Sequence, residues 1–241
     1  MKWTKLRIAV AVIGLLILTN LLTLILLLNR IRFSHPGHSK PVGDLKVVVE
    51  RIDNSEATAD FKFTQVPAPA RDDAATAATF SLVSGGQDGS NWKTRALHDG
   101  LLPGGPDAPD FNFFFGDGSY GGRILVDFNH AIDIEQVNSY SWHVSNRGPQ
   151  VYKLYAHEAM PAGATLDPIG SQDPVTMGWK FLADIDTRPK NGGPGGQYGV
   201  SISSPTGIIG HYQYLLFDCK RTEQADRWGN TFYSEIDVVG K

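Results

Sequence analysis

The fold is decided by two runs of sequence, Arg123-Ile-Leu-Val-Asp-Phe128 and Val137-Asn-Ser-Tyr-Ser-Trp142. In the first run, Ile124, Val126 and Phe128 alternate with the period of two that is typical of a strand with one buried face. Further short runs of this type follow, separated by glycine, proline and asparagine, at 151–156, 179–183, 212–217 and 233–239. No amphipathic helix of ten or more residues is predicted among them. We therefore expect an all-β domain, a sandwich or jelly roll, over residues 79–241.

The N-terminus carries an uncharged, apolar stretch at residues 8–28, long enough to cross a bilayer. It is followed by Asn29-Arg30-Ile31-Arg32, which lacks the small residues of a cleavage site. Basic groups before the stretch slightly outnumber those after it, which favours an N-terminus inside the cell. We expect a signal anchor and transmembrane helix in residues 1–32, with the body outside the cytoplasm, in the periplasm or at the cell surface. A cleaved signal peptide is the alternative.

Residues 33–78 are predicted to be a tether with one or two short strands, at 45–52 and 61–63. The body that follows is acidic. Residues 1–40 hold six basic and no acidic side chains, so residues 41–241, with 16 basic and 25 acidic residues, carry a charge of −9. An acidic surface repels phosphate, which excludes nucleic acid as a partner. The single cysteine, Cys219, lies in an apolar run and is predicted to be a buried, inert thiol.

Six motifs occur in the order of a known sandwich family. They are Ile124-Leu-Val-Asp127-Phe128, Val137-Asn-Ser-Tyr140-Ser-Trp142, Tyr152-Lys-Leu-Tyr155, Trp179-Lys-Phe-Leu182, Tyr214-Leu-Leu-Phe217 and Glu235-Ile-Asp-Val238. Together they resemble the galactose-binding-like β-sandwich of the discoidin and coagulation-factor C-domain family, in a divergent form like that of bacterial envelope proteins. The sequence departs from the family at Asn129, where a glycine is usual, and in long insertions before Trp179 and at 188–211.

The resemblance implies a structural calcium ion near the first loop. Asp99, in an Asp-Gly turn, and Glu235, in the last strand, occupy the matching positions. Two carboxylates with loop carbonyls supply the hard oxygen ligands that calcium requires. The alternative is that Asp99 only forms a turn and that Glu235 faces solvent.

The resemblance also implies a sugar site on loops at one end of the sandwich. Such a site needs an aromatic face and planar hydrogen-bonding groups. Two loops supply these groups, and the candidate ligand-binding residues are Trp142, His143, Asn146, Arg147, Trp228, Asn230 and Phe232. The alternative is that Trp142 and Phe232 belong to the core and that Arg147 is a surface charge.

These features predict a membrane-anchored, extracytoplasmic module that binds carbohydrate or another envelope component. A structural or protein-interaction domain without a small-molecule site is the second hypothesis, and a glycan-acting hydrolase is the third. Catalysis is disfavoured because the sequence has no nucleophile-elbow motif and no zinc spacing, and its glycine clusters lack the lysine of a phosphate-binding loop.

Overall fold

The computed structural model describes residues 45–91, 93–159, 172–223 and 228–241. The predicted membrane span at 8–28 and the first part of the predicted tether lie outside these ranges. Within them, no helix combines the length and the apolar character needed to cross a bilayer.

The described residues form eight strands and three short 3-10 helices. The strands are β1 (Lys46–Asp53), β2 (Thr79–Ser84), β3 (Gly121–His143), β4 (Val151–His157), β5 (Lys180–Asp186), β6 (Gly196–Ser203), β7 (Gly210–Lys220) and β8 (Tyr233–Gly240). The 3-10 helices span Lys93–Leu97, Pro109–Phe111 and Pro174–Met177.

Strand β3 runs through both layers of the sandwich. Its first half pairs with β2 and β7, and its second half pairs with β6 and β8. Between the halves, the pairing with β7 shifts register from Asp127 to Ile132, and Asn129 adopts a positive φ of 65°. Asparagine tolerates this left-handed backbone better than most residues do. The result is a front sheet, β2-β3-β7-β4-β5, and a back sheet, β1-β6-β3-β8.

The main core lies between the two sheets. The predicted inward face of β3 is confirmed, since Ile124 and Val126 are fully buried. Their neighbours in one apolar cluster come from both sheets and include Val137, Leu154, Val200, Phe217, Ile236 and Val238. Cys219 joins this cluster, and burial raises the pKa of its thiol to about 12, so the prediction of an inert thiol is supported. The all-β sandwich predicted from the sequence is therefore confirmed.

Of the segment 33–78, predicted as a tether with one or two short strands, the structure describes residues 45–78, and the strand expected at 45–52 is present as β1. Strand β1 pairs along its whole length with β6, at the edge of the back sheet. Residues 54–70, which we call the cover segment, then pack on the outer face of that sheet. Phe61 and Val66 are buried there against Tyr140 and Trp142, and residues 61–63 form no strand.

The cover segment is fastened by a carboxylate. Glu50 of β1 accepts hydrogen bonds from the backbone amides of Thr64, Gln65 and Val66, at 3.1, 2.6 and 2.6 Å. These amides are satisfied by a side chain because the segment has no strand partner of its own. The apolar residues of the cover segment bury a second, smaller cluster outside the main core.

Candidate functional site

The two loops predicted to bind a ligand meet at one end of the sandwich. The backbone amide of Phe232 donates to the carbonyl of Arg147 at 2.9 Å, and the hydroxyl of Thr231 donates to the carbonyl of Pro149. The loop that follows β3 and the loop that precedes β8 are thus adjacent. The predicted clustering of the two loops at one end is present in the structure.

The aromatic residues of these loops are buried, however. Trp142 is 4% exposed, packs edge-on against Phe61 at 5.7 Å between ring centres, and donates its indole N–H to Asn54 at 3.0 Å. Phe232 is 1% exposed and stacks on Phe114 at 4.1 Å. Neither ring offers an open face to a sugar. The interpretation of both residues as part of the core is the one that the structure supports.

His143 and Asn230 are also buried and organise the loops. The Nδ1 atom of His143 accepts a hydrogen bond from the backbone amide of Ser145 at 3.0 Å. Burial, and then the nearby charge of Arg147, lower the pKa of His143 to about 4, so its ring is neutral at physiological pH. Asn230 donates its side-chain amide to the carbonyl of Gly116 at 3.3 Å. Both residues support the backbone around them.

Three predicted residues remain partly accessible. Arg147 is half-buried, with its guanidinium over the Phe232 ring, and Trp228 is 41% exposed at the same end of the molecule. Asn146 lines a cavity. Its side-chain amide donates to the carboxylate of Glu223, which follows the end of β7.

This cavity, which we call the loop-end cleft, has a volume of about 210 Å³. It is lined by Asn146, Pro149, Arg188, Pro189, Gly192, Pro194, Thr222 and Glu223. Arg188 holds a two-pronged ion pair with Asp186, in which its Nε lies 2.9 and 3.2 Å from the two carboxylate oxygens. This hydrogen bonding lowers the pKa of Asp186, so the carboxylate stays charged. The cleft therefore combines an amide, a guanidinium and a carboxylate with apolar proline walls.

The sequence prediction missed Arg188, Thr222 and Glu223. They lie in loops that follow β5 and β7, and only the pairing of those strands beside β4 brings them to Asn146. A local signal existed only for Arg188, because the Asp186-x-Arg188 spacing suits an ion pair across one turn.

A cluster of four carboxylates occupies the outer face of the back sheet. Its members are Asp73, Asp99, Glu235 and Asp237, and the last two are each only 2% exposed. Burial, followed by the charges of Asp237 and Asp99, raises the pKa of Glu235 to about 9. Burial and the charge of Asp73 raise the pKa of Asp237 to about 7. Glu235 therefore does not face solvent.

The cluster fits part of a cation site. Oε2 of Glu235 and Oδ1 of Asp237 are buried and have no hydrogen-bond partner in the described part of the chain. Unpartnered buried carboxylate oxygens are costly unless a cation or a proton compensates them. Across the described ranges, however, no three acidic, histidine or cysteine side chains converge as the ligands of one metal ion. An ion beside Asp99 and Glu235 would therefore need backbone carbonyls as its remaining ligands.

Comparison with solved structures returns carbohydrate-binding modules. The CBM32-1 module from a family 31 glycoside hydrolase of Clostridium perfringens is 12% identical, with a TM-score of 0.42, over 67% of this chain and 93% of that chain. The CpGH89CBM32-6 module of Clostridium perfringens is 13% identical, with a TM-score of 0.43, over 70% of this chain and all of that chain. These modules have the galactose-binding-like sandwich. It is the fold that the sequence resembles. The likeness is distant, and it assigns no role to any residue of this chain.

No protein-family model matches the sequence, and no curated protein matches it.

Proposed function

We propose that this chain is a carbohydrate-binding module and that the loop-end cleft receives a sugar unit. The observation that carries the proposal is the meeting of Asn146, Arg188 and Glu223 around one cleft, at the end of the sandwich where two partly polar loops converge. Each sugar hydroxyl both donates and accepts hydrogen bonds, so a sugar site needs groups of both kinds.

The chemistry of the cleft meets this need. The guanidinium of Arg188 supplies fixed N–H donors, the carboxylate of Glu223 accepts, and the amide of Asn146 does both. Pro149, Pro189 and Pro194 supply apolar surface for the C–H groups of a sugar ring. The volume of about 210 Å³ is below the roughly 300–1,000 Å³ of sites for drug-sized ligands, which favours one sugar unit over a long segment of chain.

The experiment is a glycan-array screen of the full chain, followed by calorimetric titration with galactose and N-acetylgalactosamine. These sugars are bound in two of the solved structures to which the chain is similar. We expect Asn146→Ala and Arg188→Ala each to weaken binding about tenfold, because each removes hydrogen bonds that involve a charged or amide group. Lys153→Ala is the matched control, since Lys153 lies on β4, does not line the cleft, and pairs with Asp184 at 3.9 Å. Absence of binding to any glycan would favour the structural hypothesis.

We further propose that a calcium ion binds beside Asp99 and Glu235. When bound, the ion would neutralise carboxylates that are otherwise forced to share protons. The support comes from the unpartnered oxygen of Glu235 and from the charge of Asp99 nearby. The role of the ion would be structural, because the cluster lies between the back sheet and the segment that covers it. In the same cluster, Asp237 accepts a hydrogen bond from the backbone amide of Ala70, at the end of the cover segment.

The membrane anchor at residues 8–28 and the extracytoplasmic position of the body complete the proposal. They rest on the sequence alone. Fractionation of cells that express the full chain, followed by protease treatment of intact spheroplasts, tests both. Recovery of the chain in the soluble cytoplasmic fraction would contradict them.

A further inference from the structure

A second cavity, of about 460 Å³, lies at the end of the sandwich opposite the loop-end cleft. Strand β4 extends from one cavity to the other, and its length gives the distance between them. It begins at Val151, just after Pro149 of the cleft, and ends six residues later at His157, which lines the second cavity. At about 3.3 Å per residue, the two sites are roughly 20 Å apart. We call the second one the distal cavity.

The accessible walls of the distal cavity carry polar groups, and the two aromatic residues behind them, Trp179 and Tyr212, are buried. Trp179 lies beside the His157 ring, with 5.5 Å between ring centres, and the ammonium group of Lys180 lies 5.5 Å from the centre of the Tyr212 ring. Glu158 adds an exposed carboxylate. The lining thus contains one carboxylate and one ammonium group.

Gly178 keeps one side of this cavity open. It ends the 3-10 helix Pro174–Met177 in a left-handed conformation, with a φ of 91°. A Cβ atom at this position would stand 3.6 Å from Nε2 of His157. Because glycine has no side chain, nothing from this residue covers the imidazole nitrogen.

We propose that the distal cavity binds a neutral sugar unit. The ammonium of Lys180 donates to a hydroxyl, the carboxylate of Glu158 accepts from one, and the imidazole of His157 exchanges hydrogen bonds with a third. The exposed side chain of Ala159 and the methylene groups of Lys180 provide apolar surface for the C–H groups of the ring. An acidic sugar is disfavoured, because Glu158 opposes the attraction of Lys180.

This second site does not depend on the loop-end cleft, but it changes what the module does if both bind. Two sugar sites about 20 Å apart, at opposite ends of one sandwich, are too far apart for a disaccharide to fill together. They would hold two separate glycan segments. Binding at one site then raises the effective concentration of a linked segment at the other, which strengthens attachment to a dense glycan surface.

The test is saturation-transfer NMR on the full chain with galactose, N-acetylglucosamine and glucuronic acid, in wild type and two double variants. Asn146→Ala with Arg188→Ala removes the groups of the cleft, and Glu158→Gln with Lys180→Met removes those of the distal cavity. Glu158 and Lys180 are exposed, so we expect the fold to persist, as circular dichroism would show. Lys153→Met serves as the control for loss of a lysine on a neighbouring strand.

We expect a neutral sugar to retain saturation transfer in the cleft variant. When Glu158→Gln and Lys180→Met are added to the cleft variant, we expect this remaining binding to weaken about tenfold, whereas Lys153→Met added to the cleft variant should leave it unchanged. The proposal is overturned if the cleft variant binds no neutral sugar, if the combined variant binds like the cleft variant, or if glucuronic acid outcompetes the neutral sugars in the cleft variant. Because the two pairs of substitutions lie at opposite ends of the sandwich, the experiment distinguishes loss of the distal site from loss of the cleft site.

Discussion

The guanidinium carbon of Arg147 lies 4.5 Å from the centre of the Phe232 ring, and the backbone amide of Phe232 donates to the carbonyl of Arg147 at 2.9 Å. This pair connects the loop after β3 to the loop before β8. Because the ring is buried and the guanidinium covers it, the contact closes this end of the core.

We therefore expect Arg147→Ala to lower the free energy of unfolding by about 1–2 kcal/mol, from lost cation–π contact and packing. Glycan affinity should change less than threefold, since Arg147 does not line the cleft. Urea unfolding and calorimetric titration measure the two effects. A tenfold loss of affinity with unchanged stability would show that Arg147 contacts the ligand directly.

Calcium should stabilise the chain. Addition of millimolar calcium to chelator-treated protein is expected to raise the melting temperature by several degrees, because the ion binds only the folded state. Glu235→Gln should abolish the increase, whereas Asp184→Asn, which removes an exposed carboxylate on β5, should not. Differential scanning calorimetry measures the shift. An identical melting temperature with calcium and with chelator would show that the folded chain does not bind calcium.

Without calcium, stability should fall as the pH rises. The pKa of Glu235 is about 9 in the folded protein, against an ordinary value of 4.5, and that of Asp237 is about 7, against 3.8. An acid whose pKa is raised by folding contributes its full stability below the unfolded value and loses it as the pH rises through the folded value. In chelator, the free energy of unfolding should therefore be higher at pH 5 than at pH 8.

The variants Glu235→Gln and Asp237→Asn isolate this effect from other titrations. Each should be more stable than wild type at pH 8, by an amount on the order of 2 kcal/mol, and the gain should shrink at pH 5. Guanidinium unfolding at several pH values gives the comparison. A gain that does not vary with pH would mean that the carboxylates do not titrate in this range.

The cover segment should contribute to the stability of the body. Phe61 is fully buried against Tyr140 and Trp142, so Phe61→Ala is expected to cost about 3–4 kcal/mol. Tryptophan fluorescence should shift to the red as Trp142 becomes hydrated. Phe111→Ala, at a phenylalanine that is 41% exposed, is the control. If Phe61→Ala unfolds like Phe111→Ala and wild type, the cover segment does not contribute to the stability of the body.

Most strands were predictable because a half-buried strand leaves a visible period of two. Ile124, Val126 and Phe128 show it, and both runs that decide the fold proved to be parts of β3. Strand β6 was not predicted, because seven of its eight residues are buried, on both faces, and the sequence therefore shows no alternation of apolar and polar residues. Gly199 lies in it because the Phe63 ring packs against that backbone, and a Cβ there would stand 2.8 Å from the ring.

The candidate sites were less predictable, for two physical reasons. The sequence identifies aromatic and polar residue types in a loop but not which of them point inward, so Trp142 and Asn146 looked alike as candidates. Residues that become neighbours only when strands pair, such as Arg188 and Asn146, carry no local signal. The proximity of Asp99 and Glu235 was anticipated only through the family resemblance.

Strand β3 contributes hydrogen bonds to four other strands, and this has a consequence for how the molecule comes apart. Because β3 belongs to both layers, fraying that reaches the middle of β3 removes ladder partners from both layers at once. Amide hydrogens on β6 and β7, although in different layers, should then exchange with solvent through the same global opening and with similar protection factors.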